Sequence, residues 1–216
     1  MMMHQNESIT GVLLAGGQSR RMFPETGGGD KALRDLCGRP MLAHVIDRLR
    51  PQVGQLVINA NGDPGRFARF ELPVIADTIG GFVGPLAGVL SGMRWSLARA
   101  PQATHIVTVS TDAPFIPTDL VARLRGDGPD QGNAIAIAQS GGDLHPVIGL
   151  WPVALADDLE HALNEGVRKV LAWTDRHGTT PVDFPFVTMA GRQIDPFFNA
   201  NDPDELDEAR RILQGA

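Results

Sequence analysis

A short glycine turn followed by clustered cations is the part of this sequence with the clearest chemistry. The apolar run Gly11 to Leu14 has the composition of a buried strand and leads into Gly16 and Gly17. Three cations follow the turn: Arg20, Arg21 and Lys31. Paired glycines let main-chain amides approach an oxyanion, and the cations can donate charge-assisted hydrogen bonds to phosphate oxygens. The segment therefore predicts a nucleoside triphosphate site, with a plain tight turn as the alternative.

The two common phosphate-binding motifs are absent from this segment. Lys31 stands between Asp30 and Ala32, which excludes the pattern Gly-x-x-x-x-Gly-Lys-Ser/Thr. No Gly-x-Gly-x-x-Gly follows the predicted strand either. Interpretations as an ATPase or as an NAD-binding protein therefore lose their main support.

Polar residues follow three further predicted strands. Asn59 ends the second strand, Asp77 ends the third, and Asp112 follows the fourth. Ligands of open α/β sheets bind at the carboxyl ends of the strands, so we expect these residues to share a crevice with the glycine turn. Two carboxylates beside a triphosphate are natural Mg²⁺ ligands, although either aspartate alone could instead cap a local turn. The pair, interpreted as lying on adjacent strand ends, favours a magnesium site.

No histidine cluster or nucleophile triad is visible in the sequence. The six histidines lack metal-ligand spacing, and no Gly-x-Ser-x-Gly elbow occurs. His145, which precedes Pro146 at the start of a predicted strand, can either face the crevice or satisfy main-chain groups. A phosphate monoester acting as nucleophile is largely dianionic at neutral pH, so no general base is then required.

Composition describes an ordinary globular protein. The 216 residues are 43% hydrophobic and 20% charged, which suits one domain, and the net charge of −6 argues against a nucleic-acid binder. Cys37 is the only cysteine and agrees with a reducing compartment. No segment has the eighteen or so apolar residues of a membrane span, and residues 1–8 lack the features of a signal peptide. We expect a cytoplasmic protein with a disordered extension over residues 1–8 and one domain over residues 9–216.

Strand and helix patterns alternate along the chain, which is typical of a doubly wound sheet. Strands are predicted at residues 11–14, 56–59, 73–76, 105–110, 134–138 and 147–150. Helices are predicted at residues 41–49, 85–100, 117–125 and 152–164, and after the N-cap Asp202. The expected fold is α/β and Rossmann-like: a doubly wound, mostly parallel sheet with helices on both faces.

Several motifs together resemble those of the molybdenum cofactor guanylyltransferases, the MobA type of the nucleotidyltransferase superfamily. The motifs are Leu14-Ala15-Gly16-Gly17, Ser19-Arg20-Arg21-Met22, Asp30-Lys31, Leu36-x-Gly38-x-Pro40, Gly84-Pro85-Leu86-Ala87-Gly88, Asp112-x-Pro114 and Asn199-x-Asn201-x-Pro203. The opening motif is shared with many nucleotidyltransferases, whereas residues 57–61 and the final Asn-x-Asn are more particular to this family. The resemblance runs from about Thr10 to Leu213. It implies transfer of GMP from MgGTP to the terminal phosphate of molybdenum-bound molybdopterin, with release of pyrophosphate.

The resemblance also implies roles for individual residues. Nucleotide-binding positions are Leu14, Ala15, Gly16, Gly17, Lys31, Asn59, Asp77 and Asp112. Asp112 is expected to hold Mg²⁺ and to act in catalysis with Lys31 and Arg21. The positions expected near the pterin are Asn199, Asn201, Arg168 and Lys169. Transient contacts with cofactor-insertion and delivery proteins are also expected, without nucleic acid or membrane as partners.

Two departures from the family pattern bear on these expectations. Seven residues, Phe23 to Gly29, separate Met22 from Asp30 where about three are usual, and Thr111 replaces the usual cysteine before Asp112. The longer segment contains three glycines and Pro24, so we predict a lid over the triphosphate that orders when nucleotide binds, with an inert surface insertion as the alternative.

Two other functions remain open from the residues. One is a cytidylyltransferase or another nucleotidyltransferase of the same fold, because the choice of base cannot be read from the sequence. The other is a non-catalytic GTP-binding protein that delivers the cofactor. Asp112 and Lys31 argue against the second, because a pure binder does not need a metal carboxylate.

Overall fold

A computed structural model of the protein describes residues 8–16, 21–22, 29–80, 84–126 and 134–215. Its strands are β1 (Ile9–Leu14), β2 (Asp35–Leu36), β3 (Arg39–Pro40), β4 (Gln55–Asn59), β5 (Val74–Ile75), β6 (His105–Ser110), β7 (Ala136–Ser140), β8 (Asp143–Pro152), β9 (Thr180–Asp183), β10 (Val187–Met189) and β11 (Arg192–Ile194). Seven of them form one sheet in the order β5-β4-β1-β6-β8-β7-β9. The carboxyl ends of β1, β4, β5 and β6 lie along one edge, because these four strands pair in parallel.

The strand directions confirm the predicted α/β fold with a mostly parallel sheet. β7 and β9 also pair in parallel, whereas β8 runs antiparallel to both β6 and β7. Among the described strands of this sheet, β8 alone runs against the others. Its amino end therefore lies at the edge where β6 and β7 end, which brings His145 to the same edge as Ser110.

Helices cover both faces of the sheet, as predicted. They are α1 (Met41–Leu49), α2 (Pro85–Arg99), α3 (Leu120–Arg125), α4 (Ala156–Asn164), α5 (Val170–Thr174) and α6 (Pro203–Gln214). Neighbouring residues of a strand point to opposite faces. Leu13 accordingly packs into one core with α1 and α3, whereas Val12 packs into the other core with α2 and α4.

The start of α2 explains why its motif is rich in glycine. Gly84, in the left-handed region with φ of 79°, caps the helix, and Pro85 occupies the first turn, where it forfeits no hydrogen bond. A Cβ at Gly88 would lie 2.4 Å from Asn59 Oδ1, and one at Gly92 would lie 2.6 Å from Val12 Cγ2. Two glycines one turn apart thus let α2 approach the sheet closely beneath the ends of β1 and β4.

A third, smaller core lies beside the sheet and was not predicted from the sequence. The hairpins β2–β3 and β10–β11 and helix α6 flank it. Its buried members are Met22, Leu36, Met41, Phe115, Ile194, Ala200, Leu206, Ala209 and Ile212. Leu213, near the end of α6, is partly buried against this core. This core and the elements around it form a lobe that packs next to the carboxyl edge of the sheet, where the polar residues lie.

Some predictions concern residues outside the described ranges. Most of the disordered extension, residues 1–7, lies outside them, and so do Gly17, Arg20 and residues 23–28 of the predicted lid. The extension, the single-domain boundary and the lid stay predictions. Within the described residues, every helix is too short or too polar to cross a bilayer.

Candidate active site

A cavity of about 830 Å³ opens at the carboxyl edge of the sheet. Most of its lining comes from the ends of β1, β4, β5 and β6, the start of α2 and the residues around Lys31. The lining residues are Leu14, Ala15, Gly16, Gly29, Asp30, Lys31, Ala32, Asn59, Asn61, Asp63, Arg66, Asp77, Gly84, Pro85, Gly88, Ser110, Thr111 and Val147. The edge is thus the one where ligands of open α/β sheets bind.

Lys31, which lines this cavity, forms an ion pair with Asp112. Lys31 Nζ contacts Asp112 Oδ2 and also donates a hydrogen bond to Asn201 Oδ1 at 3.0 Å. Ser110 donates its hydroxyl to the other carboxylate oxygen, Asp112 Oδ1. Asp112 is only 7% exposed, so this buried carboxylate has charge and hydrogen-bond partners on both oxygens, as burial of a charge requires.

The segment of the chain before α6 closes over this ion pair. Ala200 N donates to the main-chain oxygen of Asp112 at 3.0 Å, which places Asn201 beside Lys31. Asn201 N donates to Glu205 Oε2 at 2.6 Å, and Glu205 belongs to the capped first turn of α6. Asn199 Oδ1 is buried and has no hydrogen-bond partner among the described residues. A buried acceptor left in this way is costly unless something donates to it.

A second polar network lies around Asp77, which also lines the cavity. Asp77 Oδ1 accepts from Asn59 Nδ2 at 3.0 Å, and Asp77 Oδ2 accepts from Asn61 Nδ2 at 2.8 Å. Asn61 Oδ1 in turn accepts from Asp77 N at 2.9 Å, so Asn61 and Asp77 hold each other by two hydrogen bonds. The Asp77 carboxylate is thereby fixed in orientation with acceptor capacity to spare, since each oxygen has two lone pairs.

His145 takes part in a buried network that reaches the segment before α6. Ser140 Oγ lies 2.7 Å from His145 Nε2 and 2.8 Å from Asp195 Oδ1. A carboxylate only accepts, so the single hydroxyl proton goes to Asp195 and the histidine must donate through Nε2–H. Burial lowers the pKa of His145, and the charges of Asp195 and Asp143 oppose that shift only in part. His145 therefore fixes the Ser140 side chain, whereas the two roles predicted for it were to face the crevice or to satisfy main-chain groups.

Comparison with known proteins identifies the family. The family model described as the MobA-like NTP transferase domain matches residues 11–180. The chain belongs to the MobA-like NTP transferases. It is 50% identical to a molybdenum cofactor guanylyltransferase of Bradyrhizobium sp. strain ORS 278 over 206 residues, which cover 95% of this chain and 93% of that protein. The predicted family and the predicted enzyme class, a nucleotidyltransferase of molybdenum cofactor biosynthesis, are therefore confirmed.

Solved structures agree on the fold. The molybdopterin-guanine dinucleotide biosynthesis protein A of Archaeoglobus fulgidus has a TM-score of 0.69 at 23% identity, with 96% of this chain and 100% of that chain covered. A Mycobacterium tuberculosis protein solved in complex with manganese has a TM-score of 0.62 at 17% identity, with 94% and 98% covered. At these identities the likeness concerns the fold alone.

The fold of this MobA-like chain corrects one expectation from the sequence. Asp77 and Asp112 were predicted to lie on adjacent strand ends, as a pair that favours a magnesium site, with Asp112 as the residue expected to hold the ion. In the sheet, β5 and β6 are instead separated by β4 and β1, which at the usual strand spacing puts their ends about 14 Å apart. Mg²⁺ ligands lie about 2.1 Å from the ion, so the two carboxylates cannot share it. The order of strands depends on packing across the sheet, which the sequence pattern does not encode.

The other predicted residues fall into three groups. Leu14, Ala15, Gly16, Lys31, Asn59 and Asp77 line the cavity, and Ala15 N donates to Asn59 O at 2.9 Å. Arg21 is exposed. Arg168 donates to the main-chain oxygens of Leu163 and Val167, and its own main-chain oxygen would lie 3.8 Å from a Cβ at Gly84. Arg168 and the exposed Lys169 thus lie near the α2 end of the cavity, whereas Asn201 lies at Lys31. Their roles stay predictions.

Sequence reasoning missed Ser110, Asn61 and Arg66. Ser110 is the last residue of β6 and belongs to none of the motifs, which begin only at Asp112. Asn61 and Arg66 sit in the loop after β4, two and seven residues beyond Asn59. The available signals were their place after a strand that ends at the predicted crevice and, for Asn61, the family resemblance of residues 57–61.

Proposed function

We infer that this protein transfers GMP from MgGTP to the terminal phosphate of the molybdenum-bound molybdopterin cofactor, with release of pyrophosphate. The observation that carries the inference is the 50% identity to a molybdenum cofactor guanylyltransferase over nearly the whole length of both chains. The site supports it, because one cavity is lined both by the Asp77 carboxylate and by Lys31, the partner of Asp112, which suits a nucleotide whose base and phosphates are held by different groups.

We propose that the reaction takes place beside Asp112. An oxygen of the acceptor phosphate attacks the α-phosphorus of GTP, and the bond to the β-phosphate oxygen breaks. The acceptor is already dianionic, so positioning and charge neutralisation carry the catalysis. Lys31 has three N–H donors, of which Asp112 and Asn201 take two, so the third is available for a phosphate oxygen.

The donor set at Asp112 fits a magnesium ion. A buried carboxylate next to the Ser110 hydroxyl offers hard oxygen ligands, and Mg²⁺ in such enzymes commonly takes one or two carboxylates together with substrate phosphates. An ion held there would supply positive charge that offsets the charge of the triphosphate. Asp112 is the residue that would hold the ion, together with phosphate oxygens of the substrate. The manganese bound by the Mycobacterium tuberculosis protein of the same fold is in keeping with this proposal.

Asp77 is the proposed determinant of the base. Its oxygens each accept one amide hydrogen bond, which leaves one further lone pair on each. Guanine presents two adjacent donors, N1–H and the 2-amino group, to such a carboxylate, whereas cytosine and adenine offer a single amino group on that edge. The geometry at Asp77 therefore favours guanine over the base of the cytidylyltransferase alternative.

The acceptor is proposed to bind on the side of Asn199 and Asn201. Asn199 Oδ1 is a buried acceptor without a partner among the described residues, and the ring of a pterin carries N–H donors that would satisfy it. Arg168 and Lys169 are proposed to contact the cofactor from the opposite rim. Contacts with cofactor-insertion proteins and a cytoplasmic location stay predictions.

Nucleotide binding and product formation test this function together. The protein is heated with each of the four NTPs and Mg²⁺, and a ligand at 100 times its dissociation constant adds about 2.7 kcal/mol to the free energy of unfolding. We expect GTP to raise the melting temperature most, and α-labelled GTP with molybdenum-bound molybdopterin to yield labelled dinucleotide. Stabilisation and label transfer by CTP would favour the cytidylyltransferase. Stabilisation by GTP without transfer would favour the delivery protein.

A further inference from the structure

Arg66 is an arginine of the cavity that the proposed chemistry leaves without a role. It lies in a 3-10 segment, Pro64–Phe70, that follows β4, and its side chain is 27% exposed. It lines the cavity between the two polar networks, the one around Asp77 and the one around Lys31. An arginine in that place could either bind phosphate directly or hold other groups in position.

The contacts of Arg66 show that its guanidinium is already committed to the protein. Nε donates to Asp30 Oδ2 at 2.8 Å, one terminal nitrogen donates to Asp63 O at 2.5 Å, and the other donates to Asn61 O at 2.7 Å. The guanidinium carbon lies 4.5 Å from the ring centre of Phe67, which is fully buried. Each guanidinium nitrogen thus has a protein acceptor, and the guanidinium plane stacks on the Phe67 ring. These contacts hold the Arg66 side chain in one orientation.

The residues that Arg66 contacts belong to both polar networks, the one around Asp77 and the one around Lys31. Asn61, whose main-chain oxygen Arg66 holds, orients the Asp77 carboxylate through two hydrogen bonds. Asp30 immediately precedes Lys31, and its Oδ1 accepts from Ala32 N at 3.2 Å, which caps the short helical turn that carries Lys31. One carboxylate oxygen therefore shapes the Lys31 turn while the other anchors that turn to Arg66.

We propose that Arg66 is a positioning residue for Lys31, acting through Asp30. The inference rests on the proposed role of Lys31 in phosphate binding. Asp30 has only 21% of its side chain exposed, so the ion pair with Arg66 is partly shielded from solvent and its geometry is held by two further main-chain hydrogen bonds. Lysine cannot replace Arg66, because a single ammonium does not reach three acceptors in one plane.

The kinetic test asks whether the effect of Arg66 passes through Lys31. Arg66→Met removes the donors but keeps an unbranched side chain over Phe67. In the otherwise unchanged chain we expect kcat to fall by about tenfold, because one charge-assisted contact is lost. In a Lys31→Ala background the same substitution should lower kcat by less than about twofold, because the group that it positions is gone.

Matched variants make the kinetic result specific. Arg69→Met removes the same charge from the same 3-10 segment at an exposed position and should leave kcat unchanged. Asp30→Asn keeps one oxygen for Ala32 N but loses the ion pair, so it should reproduce Arg66→Met. Arg66→Lys should fail to restore activity. An equal loss from Arg66→Met in both backgrounds would overturn the proposal and leave a merely structural role.

A chemical measurement reads the position of Lys31 without turnover. The chain has only two lysines, Lys31 and the exposed Lys169, so trace acetylation followed by mass spectrometry gives one ratio with an internal standard. We expect Arg66→Met and Asp30→Asn to raise the labelling of Lys31 relative to Lys169 at least threefold, and Arg69→Met to leave the ratio unchanged. An unchanged ratio in all three variants would refute the proposal.

The same set of proteins separates failure of this inference from failure of the proposed function. If Lys31→Ala alone retains full guanylyl transfer, the role of Lys31 is wrong, whatever Arg66 does. If Lys31→Ala is impaired but Arg66→Met is as active as the unmodified protein, only the positioning role is wrong. Melting curves of each variant identify any that fails to fold, and Asp30→Asn then supplies the result in place of Arg66→Met.

Discussion

The two proposed halves of the active site, one for the nucleotide and one for the acceptor, are built from different kinds of backbone. In the nucleotide half, Leu14 and Asn59 end parallel strands whose ladders put them opposite each other, and Asn59 lies opposite Ile75 on β5 in the same way. In the acceptor half, residues 195–201 form an irregular segment between β11 and α6. That segment is fixed by separate contacts at Asp195, Ala200 and Asn201.

This difference determines how each half responds to a substitution. Main-chain hydrogen bonds of the sheet hold the nucleotide half, so a lost side chain there leaves the frame in place. Single contacts hold the backbone of the acceptor half, among them the side chains of Asp195 and Glu205 and the main-chain oxygen of Asp112, so the loss of one such contact displaces the residues that follow it. We therefore expect variants of the first half to change the KM for GTP, and variants of the second half to change the KM for the molybdopterin acceptor.

Asp112→Asn should have the largest effect, because Asp112 belongs to both halves. An amide lacks the charge that a metal ion requires, and it also leaves the Lys31 ammonium without its counterion. We expect kcat to fall on the order of a thousandfold, comparable to the loss of strong electrostatic stabilisation elsewhere. Transfer of radiolabelled GMP measures kcat, and a titration with Mn²⁺ measures metal binding. Circular dichroism is the folding control. Near-normal transfer would rule out Asp112 as the metal ligand.

Gly88→Ala should damage the nucleotide half selectively. The new methyl group would meet Asn59 Oδ1 at 2.4 Å and Leu14 Cδ2 at 2.7 Å, so either α2 or the two side chains must move. Overpacking of this kind costs about 1–3 kcal/mol, and we expect it as a KM for GTP raised roughly tenfold with the acceptor KM unchanged. Gly80→Ala is the control, because a Cβ there meets nothing within 4 Å. A rise in the acceptor KM instead would contradict the division into halves.

Ser140→Ala should damage the acceptor half selectively. Ser140 is 1% exposed and joins His145 to Asp195, so its loss leaves the partly buried His145 Nε2 without this partner and leaves Asp195 Oδ1 with only its hydrogen bond from Phe197 N, which loosens the segment that leads to Asn199. An unsatisfied buried group costs about 1–3 kcal/mol, and we expect the acceptor KM to rise several-fold with little change for GTP. Ser91→Ala is the matched control, since Ser91 is equally buried with two hydrogen bonds but lies behind the nucleotide half. Equal acceptor effects in both variants would defeat the prediction.

Acidification should have the smallest effect, and it should also act on the acceptor half. The pKa of His145 is lowered by burial, so the unfolded chain binds a proton that the folded chain resists. The contribution of neutral His145 is complete above the ordinary pKa near 6.5 and is lost as the pH falls from there through the lower folded value. Urea titrations from pH 7.5 to pH 5 should show a steeper loss of stability for the unmodified protein than for His145→Asn. A steeper loss for the variant would reverse the sign of the assignment.

The nucleotide half could be predicted from the sequence because its residues end elements with strong local signals. Apolar runs bounded by glycine or polar residues located β1, β4 and β6, and Asn59 and Asp112 follow directly from those boundaries. The direction of β8 could not be predicted, because alternation of apolar residues is the same for a parallel and an antiparallel strand.

The acceptor half and the coupling between sites depend on contacts that are distant in sequence. β9 contains Pro181 and is largely exposed, and β10 and β11 have three residues each, so none carries a periodic pattern. Asn201 meets Lys31 across 170 positions of the chain, and Arg66 meets Asp30 across 36. Such pairs are set by how the elements pack, which a single sequence does not display.

We expect the third core to give the acceptor half a stability of its own. It is assembled from α6, the two hairpins and Phe115, apart from the two cores that flank the sheet. Groups of elements with a separate core open as cooperative units, with a free energy below that of global unfolding. We expect the lobe around α6 to be such a unit, so that its transient opening can release a bulky dinucleotide while the parallel strands of the nucleotide half stay closed.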